Sequence, residues 1–427
     1  MQNKLLIVIF ISLFSFAYTA TGQKLIDSPY SRFNIGTLQP QGSFRNLGMG
    51  RVGTAMRDNS SIDFTNPASY SSLDTVSFIF DFGLDYGRNF ISEGVTRYSS
   101  SDIDFHHLIM GFPISKGWGF AAGVIPVSSG YYKITQTVTS TDPGYDATTG
   151  EYTVNHNGDG GITKFFVGSG IQIGKNFSIG ANLSFLSGQL KRDNSFVFSD
   201  IYNVFNNNSE EKLVLGGVNF EYGIQYVAAF KNNYFLNIGA SLTSGNNYKS
   251  KYNLLSMKYT AYSVIDTISY VANNSAKTHI PATYRIGISF GKKYKFITGI
   301  DYVITKWSTS SIPPGSTNYA ADTKELRFGA EFIPDKFSNF SYISKIEYRI
   351  GGHIGDNYLI INGEQLKEYG ASIGLGLPMR TFSKTNLFID FTRKSGSPAS
   401  NFHTENYLTL GISRNLYDWW FLKKKYD

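Results

Sequence analysis

The chain has 427 residues and no cysteine, so it carries neither a disulfide framework nor a thiolate metal site. Charged residues make up 17% and aromatic residues 16% of it, and it has 43 glycines, a composition typical of strands with one apolar and one polar face. Its formal charge of +7 comes from scattered lysines and arginines, which argues against a nucleic-acid-binding patch.

Residues 1–22 predict a signal peptide. Lys4 gives the first segment its positive charge, thirteen apolar or small residues follow at positions 5–17, and Ala20-Thr21-Gly22 forms a small-x-small cleavage site. The apolar run is shorter than the roughly 20 residues that a transmembrane helix needs. We therefore expect export by the Sec route and a mature chain that begins at Gln23.

Apolar and polar residues alternate with a period of two from about residue 75 to residue 414. In one such segment the apolar face consists of Tyr284, Ile286, Ile288 and Phe290. Arg285 lies on the opposite face. An arginine facing lipid near the membrane midplane costs about 2–4 kcal/mol, so the charged face must point into a lumen. The pattern predicts a transmembrane barrel that is apolar outside and charged inside.

Fourteen strand segments are predicted between residues 73 and 415, an even number that suits an antiparallel barrel. Short turns alternate with long connections, of which residues 245–278 form one. The fold class is therefore all-β, and an array of soluble β-sandwiches is the alternative. The segments begin near residues 75, 103, 117, 161, 177, 213, 234, 279, 294, 323, 342, 367, 385 and 405.

Residues 23–72 precede the barrel and show neither strand nor helix periodicity. Their arginines, including Arg45 and Arg51, are expected to pair with acidic residues of the lumen, which favours a plug inside the barrel over a disordered periplasmic arm. Residues 416–427 combine tryptophans with lysines and predict a periplasmic or interfacial tail.

Several short motifs resemble catalytic or cofactor sites but lack the required context. Gly48, Gly50 and Gly53 match a dinucleotide-binding pattern, yet no βαβ unit surrounds them, so close packing in a narrow lumen explains them better. Alternation places His106 and His107 on opposite faces unless a bulge intervenes, and the remaining histidines lack metal-ligand spacing. We expect no enzyme activity, no cofactor and no metal.

Asn66-Pro67-Ala68 is the most informative short motif. It follows the glycine-rich residues 47–55 and precedes the first predicted strand. In this position it resembles the FadL/TodX family of outer-membrane transporters for long-chain fatty acids and other hydrophobic compounds. The opening residues 28–33 are similar to a Bacteroidetes-type branch of that family. The resemblance implies the outer membrane of a Gram-negative bacterium and a hatch, fixed in part by this motif, that fills the lumen.

The resemblance also implies a passive channel whose hydrophobic ligand leaves sideways through a gap made by a kinked third strand. That strand contains Gly119, Gly123 and Pro126, and a proline removes a hydrogen-bond donor from the ladder. The apolar lumen positions expected to contact such a ligand are Ile79, Phe166, Phe235 and Phe388.

An alternative function stays open at this point. Members of the Bacteroidetes-type branch that resemble PorV serve secretion or assembly machines instead of carrying lipids. The partners to expect are accordingly outer-membrane lipid together with a hydrophobic ligand or the proteins of an outer-membrane complex. A general porin conflicts with a filled lumen.

Overall fold

The computed structural model describes residues 28–93, 96–199, 204–260, 263–313, 320–361, 363–379, 382–396 and 403–420. The predicted signal peptide and residues 421–427 of the predicted tail lie outside the described residues. The strands are β1 Thr37–Leu38, β2 Ser77–Glu93, β3 Thr96–Ser115, β4 Trp118–Ser129, β5 Tyr132–Val138, β6 Tyr152–Ile173, β7 Phe177–Phe198, β8 Asn206–Ala229, β9 Tyr234–Thr243, β10 Asn246–Tyr259, β11 Val264–Ile280, β12 Thr283–Lys292, β13 Phe296–Thr305, β14 Thr323–Phe332, β15 Glu347–Ile361, β16 Glu364–Pro378, β17 Lys384–Ser395 and β18 Thr404–Trp419.

Fourteen of the strands in the described chain close into an antiparallel barrel, as the sequence predicted. Their order is β2, β3, β4, β6, β7, β8, β9, β12, β13, β14, β15, β16, β17 and β18, and β18 pairs again with β2. Closure leaves no free sheet edge, which is what a β-sheet in a bilayer requires. We call the end with the short connections, such as residues 293–295, the turn end, and the opposite end the loop end.

The predicted alternation sets the two faces of the wall. On β12 the outward residues Tyr284 and Ile286 are exposed, the latter by 64%, whereas Arg285 between them points inward and is part-buried. The ten residues of β12, at about 3.3 Å each and a tilt of about 40°, span about 25 Å, the height of the apolar band of such barrels. The short strands are therefore just long enough to cross the apolar part of the membrane.

Other strands extend well past that height at the loop end. The strands β6, β7 and β8 have 22, 22 and 24 residues, and β5 pairs with the extension of β6. The predicted loop at residues 245–278 is wrong, because β10 and β11 form a hairpin there that pairs with β8. This hairpin does not face lipid, so it lacks the apolar alternation by which strands were recognised. At the other terminus β18 runs to Trp419, past residue 415.

Helices are few and short. The α-helix α1 spans Phe44–Leu47, and 3-10 helices span Pro29–Arg32, Pro67–Ser72, Lys231–Asn233, Trp307–Thr309 and Ile343–Lys345. None of the helices found in the described ranges has the length and apolar character needed to cross a membrane.

The core of the molecule lies where the N-terminal segment meets the inner wall. Phe44, Met49 and Val52 of that segment have no exposed surface, and they pack against inward residues of the barrel. We refer to residues 28–74 as the plug. The lumen is therefore filled by an ordered N-terminal segment, as predicted.

Candidate functional site

The plug begins its contact with the wall at α1. Ser43 caps this helix by accepting a hydrogen bond from the backbone N–H of Asn46, at 3.5 Å. Phe44 then points its ring at Phe388 of β17, with ring centroids 4.6 Å apart. The short helix is thus held by its cap and by aromatic packing against the wall.

A tight turn follows α1 and carries the predicted glycine motif. Gly50 has φ +67° and Arg51 has φ +70°, a left-handed conformation that glycine adopts without cost. A Cβ on Gly50 would lie 2.4 Å from the backbone nitrogen of Gly352. Beyond the turn, the backbone N–H groups of Gly53 and Thr54 both donate to Oδ2 of Asp301, each at 2.8 Å. The glycines of the motif therefore lie where the plug backbone comes close to other atoms.

Ten glycines of the wall, one from each of ten consecutive barrel strands, form a seat for the plug that we call the glycine ring. A Cβ on any of them would lie within 3.0 Å of a plug atom. Many stand directly opposite each other across the ladders, as Gly170 and Gly180 do. The ring consists of Gly119, Gly170, Gly180, Gly223, Gly239, Gly287, Gly299, Gly329, Gly351 and Gly374. The absence of a side chain at this level on ten of the fourteen barrel strands lets the plug approach the backbone of the wall.

Buried ion pairs fasten the plug beside this ring. Arg45 makes a two-bonded contact with Glu331 of β14, at 2.8 and 3.0 Å, and a third bond to Asp58 of the plug, at 3.1 Å. Arg349 also binds Glu331, at 2.7 Å, and Lys384 binds Glu347 at 2.8 Å and Asp58 at 3.5 Å. The cluster holds three cations and three anions, so its charges balance without solvent.

Arg51 joins the plug to the wall on the other side of α1. It binds Glu368 at 2.8 Å and lies 3.8 Å from Asp390 and 3.7 Å from Glu325. The expectation that plug arginines pair with lumen acids holds for Arg45 and Arg51. Arg57 differs, because its recorded partners are Ser71, the carbonyl oxygen of Ala68, and two wall residues, Ser178 and Gln225.

Plug carboxylates sit in two different electrostatic settings. Asp58 loses hydration on burial, but Lys384 and Arg45 outweigh this and hold its pKa well below the usual range. Asp63 has no such cation, and burial raises its pKa to about 6 even though its Oδ1 accepts hydrogen bonds from Thr65. The plug thus contains one carboxylate that is stabilised as an anion and one that favours its proton.

Asn66-Pro67-Ala68 connects the plug to two strands. Asn66 is fully buried, and its side-chain oxygen accepts from the N–H of Ala68 and thereby caps the 3-10 helix that Pro67 begins. Its amide donates to the carbonyl oxygens of Thr54, of Ile224 on β8 and of Ala240 on β9, at 2.8, 3.1 and 3.2 Å. Gly170 and Gly180 leave room for Pro67.

The wall is interrupted at β4, where the third barrel strand was expected to kink. The β3–β4 ladder ends at the pair Leu108–Val124, and the β4–β6 ladder shifts register between Pro126 and Ser128. The end of β4 pairs with β1 of the plug instead. Gly119 and Gly123 lie in the regular ladder, where Gly119 seats the carbonyl oxygen of Tyr70, so of the three predicted residues only Pro126 lies at the break.

A cavity of about 200 Å³ lies at this break. Gln39 of the plug, Pro126 and His106 are among its lining residues. A bulge opposite Gly83 and Leu84 turns both His106 and His107 inward, with their Nδ1 atoms 2.8 Å apart, so strict alternation gave the wrong face for one of them.

The four apolar positions expected to contact a ligand pack against the plug. Ile79 and Phe166 share a buried cluster with Phe64 and Tyr70, and Phe235 packs against the cluster of Met49, Val52 and Met56. Phe388 packs on Phe44 and Leu47, although it also lines a cavity. The plug thus covers much of the apolar surface at these four positions, and their contact with a ligand stays a prediction.

A second cavity, of about 300 Å³, opens above the plug at the loop end, and we call it the vestibule. Its walls carry the ionisable side chains Asp85, Asp104, Lys164, Glu221, Arg285, Glu325, Arg327, Glu368, Asp390 and Lys394. Sequence reasoning assigned such residues to the lumen face but did not single out the group. These residues share one level in the loop-end half of the barrel, and this shared position in the sequence pattern could have identified them as one group.

Comparison with known proteins places the chain. The family model described as BamG matches residues 1–427. No curated protein sequence matches the chain. Among solved structures it is similar to the CymD monoaromatic hydrocarbon channel, with a TM-score of 0.55 and 13% identity over 90% of this chain and 98% of that chain.

It is also similar to a Pseudomonas aeruginosa FadL homologue, with a TM-score of 0.58 and 12% identity over 88% of this chain and 98% of that chain. The Ralstonia pickettii toluene transporter TbuX is similar with a TM-score of 0.55 and 13% identity over 87% of this chain and 96% of that chain. At these identities the likeness shows a shared fold. The resemblance to FadL-type barrels is therefore confirmed for the fold, and the Bacteroidetes-type branch stays a prediction.

Proposed function

The chain belongs to the BamG family, and from this premise we propose that it is a closed outer-membrane barrel that serves outer-membrane protein assembly as a structural partner. The turn end faces the periplasm and the loop end faces the cell exterior, as in single-chain outer-membrane barrels with short periplasmic turns. In this role the barrel transports nothing and acts by contacting other proteins through its surface. The family name supports a link to barrel assembly.

The observation that carries this proposal is the way the plug is built into the wall. Plug atoms sit on the glycine ring at ten consecutive strands, so a shift along the barrel axis would drive them into neighbouring side chains. Such a shift would also break the contacts of Arg45 with Glu331, whose side chains are 10% and 6% exposed. Separating a buried ion pair of this kind costs about 3–5 kcal/mol. A passive channel has no energy source to offset that cost.

The chemistry of the lumen supports the same conclusion. The apolar residues that a hydrophobic ligand would use, such as Phe166 and Phe235, are covered by the plug. The vestibule above them is lined with ionisable side chains. An apolar molecule in the vestibule would meet these charged side chains beside apolar ones such as Leu38 and Trp307, and burying a charge without a partner is unfavourable.

Mild-detergent isolation of the tagged full chain from outer membranes, with quantitative mass spectrometry, tests the proposal. We expect a stable complex in which barrel-assembly proteins occur in fixed ratio to this chain. Liposomes containing the purified chain should take up labelled toluene and a labelled fatty acid no faster than empty liposomes. A monomeric barrel with uptake well above that of empty liposomes would overturn the proposal.

A second function, passage of a hydrophobic compound sideways into the membrane, is favoured by the break beside β4. The β3–β4 ladder stops at Leu108–Val124, and the 200 Å³ cavity lies there next to Gln39 of the plug. The similar structures include a monoaromatic hydrocarbon channel and a toluene transporter. Opening at this point requires β1 of the plug to leave β4.

A disulfide across the β1–β4 pair distinguishes the two functions. Leu38 and Ser128 stand opposite each other. The backbone N–H of Gln39 donates to the carbonyl oxygen of Val127 in the neighbouring pair, so Leu38 and Ser128 form a non-hydrogen-bonded pair. The Cα atoms of such a pair lie about 4.5 Å apart, which is within disulfide range. In a channel, the Leu38→Cys/Ser128→Cys variant should lose uptake on oxidation and regain it on reduction, while each single variant stays unaffected. A structural partner should keep its complex in both redox states.

A further inference from the structure

The vestibule has a row of hydroxyl groups along one wall. Four adjacent barrel strands, β9, β12, β13 and β14, each begin or end with a threonine at the loop end. Across the ladders these threonines stand in register, and all four line the vestibule. The row, which we call the threonine rim, consists of Thr243, Thr283, Thr305 and Thr323.

Arg285 lies one inward position below this rim on β12. Its guanidinium donates to the Oγ1 of Thr243 at 3.0 Å and lines the vestibule. Within the described ranges of the chain, no carboxylate oxygen lies within 4.0 Å of it. This differs from Arg45 and Arg51, which each bind carboxylates directly.

The acidic side chains closest to Arg285 are already engaged. Glu325 accepts from Arg327 at 2.7 Å, and Glu221 accepts from Lys164 at 2.8 Å. A third carboxylate, Asp301, accepts the two plug N–H groups described above. Arg327 repels Arg285 electrostatically, whereas all three of these carboxylates attract it. Hydrogen-bond donors of Arg285 are thus left over at this point of the wall.

The donors that remain can be counted. A guanidinium has five N–H donors, and Arg285 uses one of them on Thr243. Thr283 and Thr305 share one hydrogen bond between their hydroxyls, at 3.0 Å, which leaves one of their two O–H groups to donate elsewhere. The hydroxyl of Thr243 accepts from Arg285 and keeps its own proton.

This arrangement fits a tetrahedral oxyanion better than a carboxylate. A carboxylate has two oxygens, which a guanidinium alone satisfies in a two-bonded contact. A phosphate monoester has three terminal oxygens, and the hydroxyls of the rim supply the additional donors. The vestibule's volume of about 300 Å³ leaves space for the group that carries the phosphate. Leu38 of the plug and Trp307 offer that group an apolar surface.

We propose that Arg285 and the threonine rim form a binding site for a phosphate group presented at the loop end of the barrel. The phosphate belongs to a soluble phosphate ester or to the headgroup of a phosphorylated glycolipid. The second source is available if the loop end faces the exterior, as in the proposed function. The site itself does not depend on whether the barrel conducts.

Binding to the full-length chain in nanodiscs tests the proposal. The probes are inorganic phosphate, glucose 6-phosphate, a phosphorylated glycolipid in the nanodisc, and acetate, and calorimetry or phosphorus NMR reports their affinity. Arg285→Gln should weaken phosphate-bearing probes by about tenfold or more, since bonds to charged groups are the stronger ones. Arg285→Lys should retain part of the affinity, because it keeps the charge and loses the planar fork.

A matched control and a second variant make the test decisive. Lys324→Gln removes the same charge from an exposed side chain next to Thr323 and should change nothing. Thr283→Val/Thr305→Val removes hydroxyls without altering charge and should weaken phosphate more than acetate. Heat-modifiable migration on gels verifies that each barrel is folded.

The outcomes separate cleanly. Binding of the soluble esters identifies a soluble ligand, and binding of the glycolipid alone identifies the headgroup as the source. The proposal is overturned if no phosphate-bearing probe binds, if Arg285→Gln binds as the wild type does, or if acetate binds as tightly as phosphate.

Discussion

The plug fits the wall tightly at the level of the glycine ring and leaves cavities at the loop end. Around the glycine ring the plug and the wall touch backbone to backbone, and ion pairs such as Arg45–Glu331 are buried. At the loop end cavities of about 200 and 300 Å³ open and the β3–β4 ladder stops short, although Tyr30 and Ile35 of the plug still pack against wall residues in a buried cluster. The contrast teaches that stability and accessibility are divided between the halves. Substitutions near the ring should therefore be costly, and changes at the loop end should be tolerated where they lie outside the buried cluster of Tyr30 and Ile35.

The largest effect is expected from filling the glycine ring. In Gly351→Val the new Cβ would lie 2.2 Å from backbone atoms of Gly50 and Met49. These are backbone atoms, so no flexible side chain can move aside to relieve the clash. We expect the plug not to seat and the folded, heat-modifiable barrel to be lost from outer membranes. Gly144→Val is the control, since a Cβ there meets no described atom within 4 Å. A normal amount of folded Gly351→Val would show that the ring does not hold the plug.

A smaller but still large effect is expected from Glu331→Gln. The substitution keeps the shape of the side chain but removes the anion shared by Arg45 and Arg349, and it leaves two buried guanidinium groups short of charge. We expect a loss of about 3–5 kcal/mol in the free energy of unfolding, measured by urea titration in detergent. Lys367→Gln removes an exposed pair with Asp356 and should leave the midpoint unchanged. Equal effects of the two substitutions would contradict the contrast.

The next effect depends on pH. Burial raises the pKa of Asp63 from 3.8 to about 6, so between these values the unfolded chain has lost a proton that the folded chain keeps. Stability should therefore fall as the pH rises from 4 to 6, by at most about 1.4 kcal/mol per pH unit, and Asp63→Asn should flatten this slope. Asp266→Asn, at an exposed position of β11, is the control. An unaltered slope in Asp63→Asn would mean that this carboxyl group is ionised in the folded plug.

The smallest effect is expected at the loop end. Replacing residues 254–271 with two glycines removes the outer part of the β10–β11 hairpin, beyond the buried residues Tyr248 and Tyr252. The part removed pairs with the extension of β8 and does not touch the glycine ring. We expect the unfolding midpoint in urea to stay within about 1 kcal/mol of the wild type. A strong loss of stability would show that the loop end also supports the barrel.

Much of the fold follows from local periodicity. Alternation such as Tyr284 and Ile286 against Arg285 fixes which residues face lipid, because the cost of a charge in the membrane is large and local. Strand pairing at the hairpin β10–β11 escaped this reasoning, since its partner is β8 and not lipid. The inward turn of both His106 and His107 escaped it as well, because a bulge shifts the register by one residue.

The candidate site was predictable in part. The sequence indicated a plug that contains Arg45, Arg51 and Asn66, and the structure places all three against the wall. It also indicated four apolar lumen residues for a ligand, whereas the plug covers them. The sequence pattern shows that a residue points inward but not which segment fills the space in front of it.

The sequence by itself determined the barrel, its two faces and the presence of a segment without strand periodicity before it. The tertiary structure decided that ten glycines from separate strands meet at one level, that Arg45 reaches Glu331, and that Arg285 keeps free donors beneath four threonines. The reason is physical. Periodicity records the environment of each residue, whereas these sites depend on strand register and on distances between residues far apart in the chain.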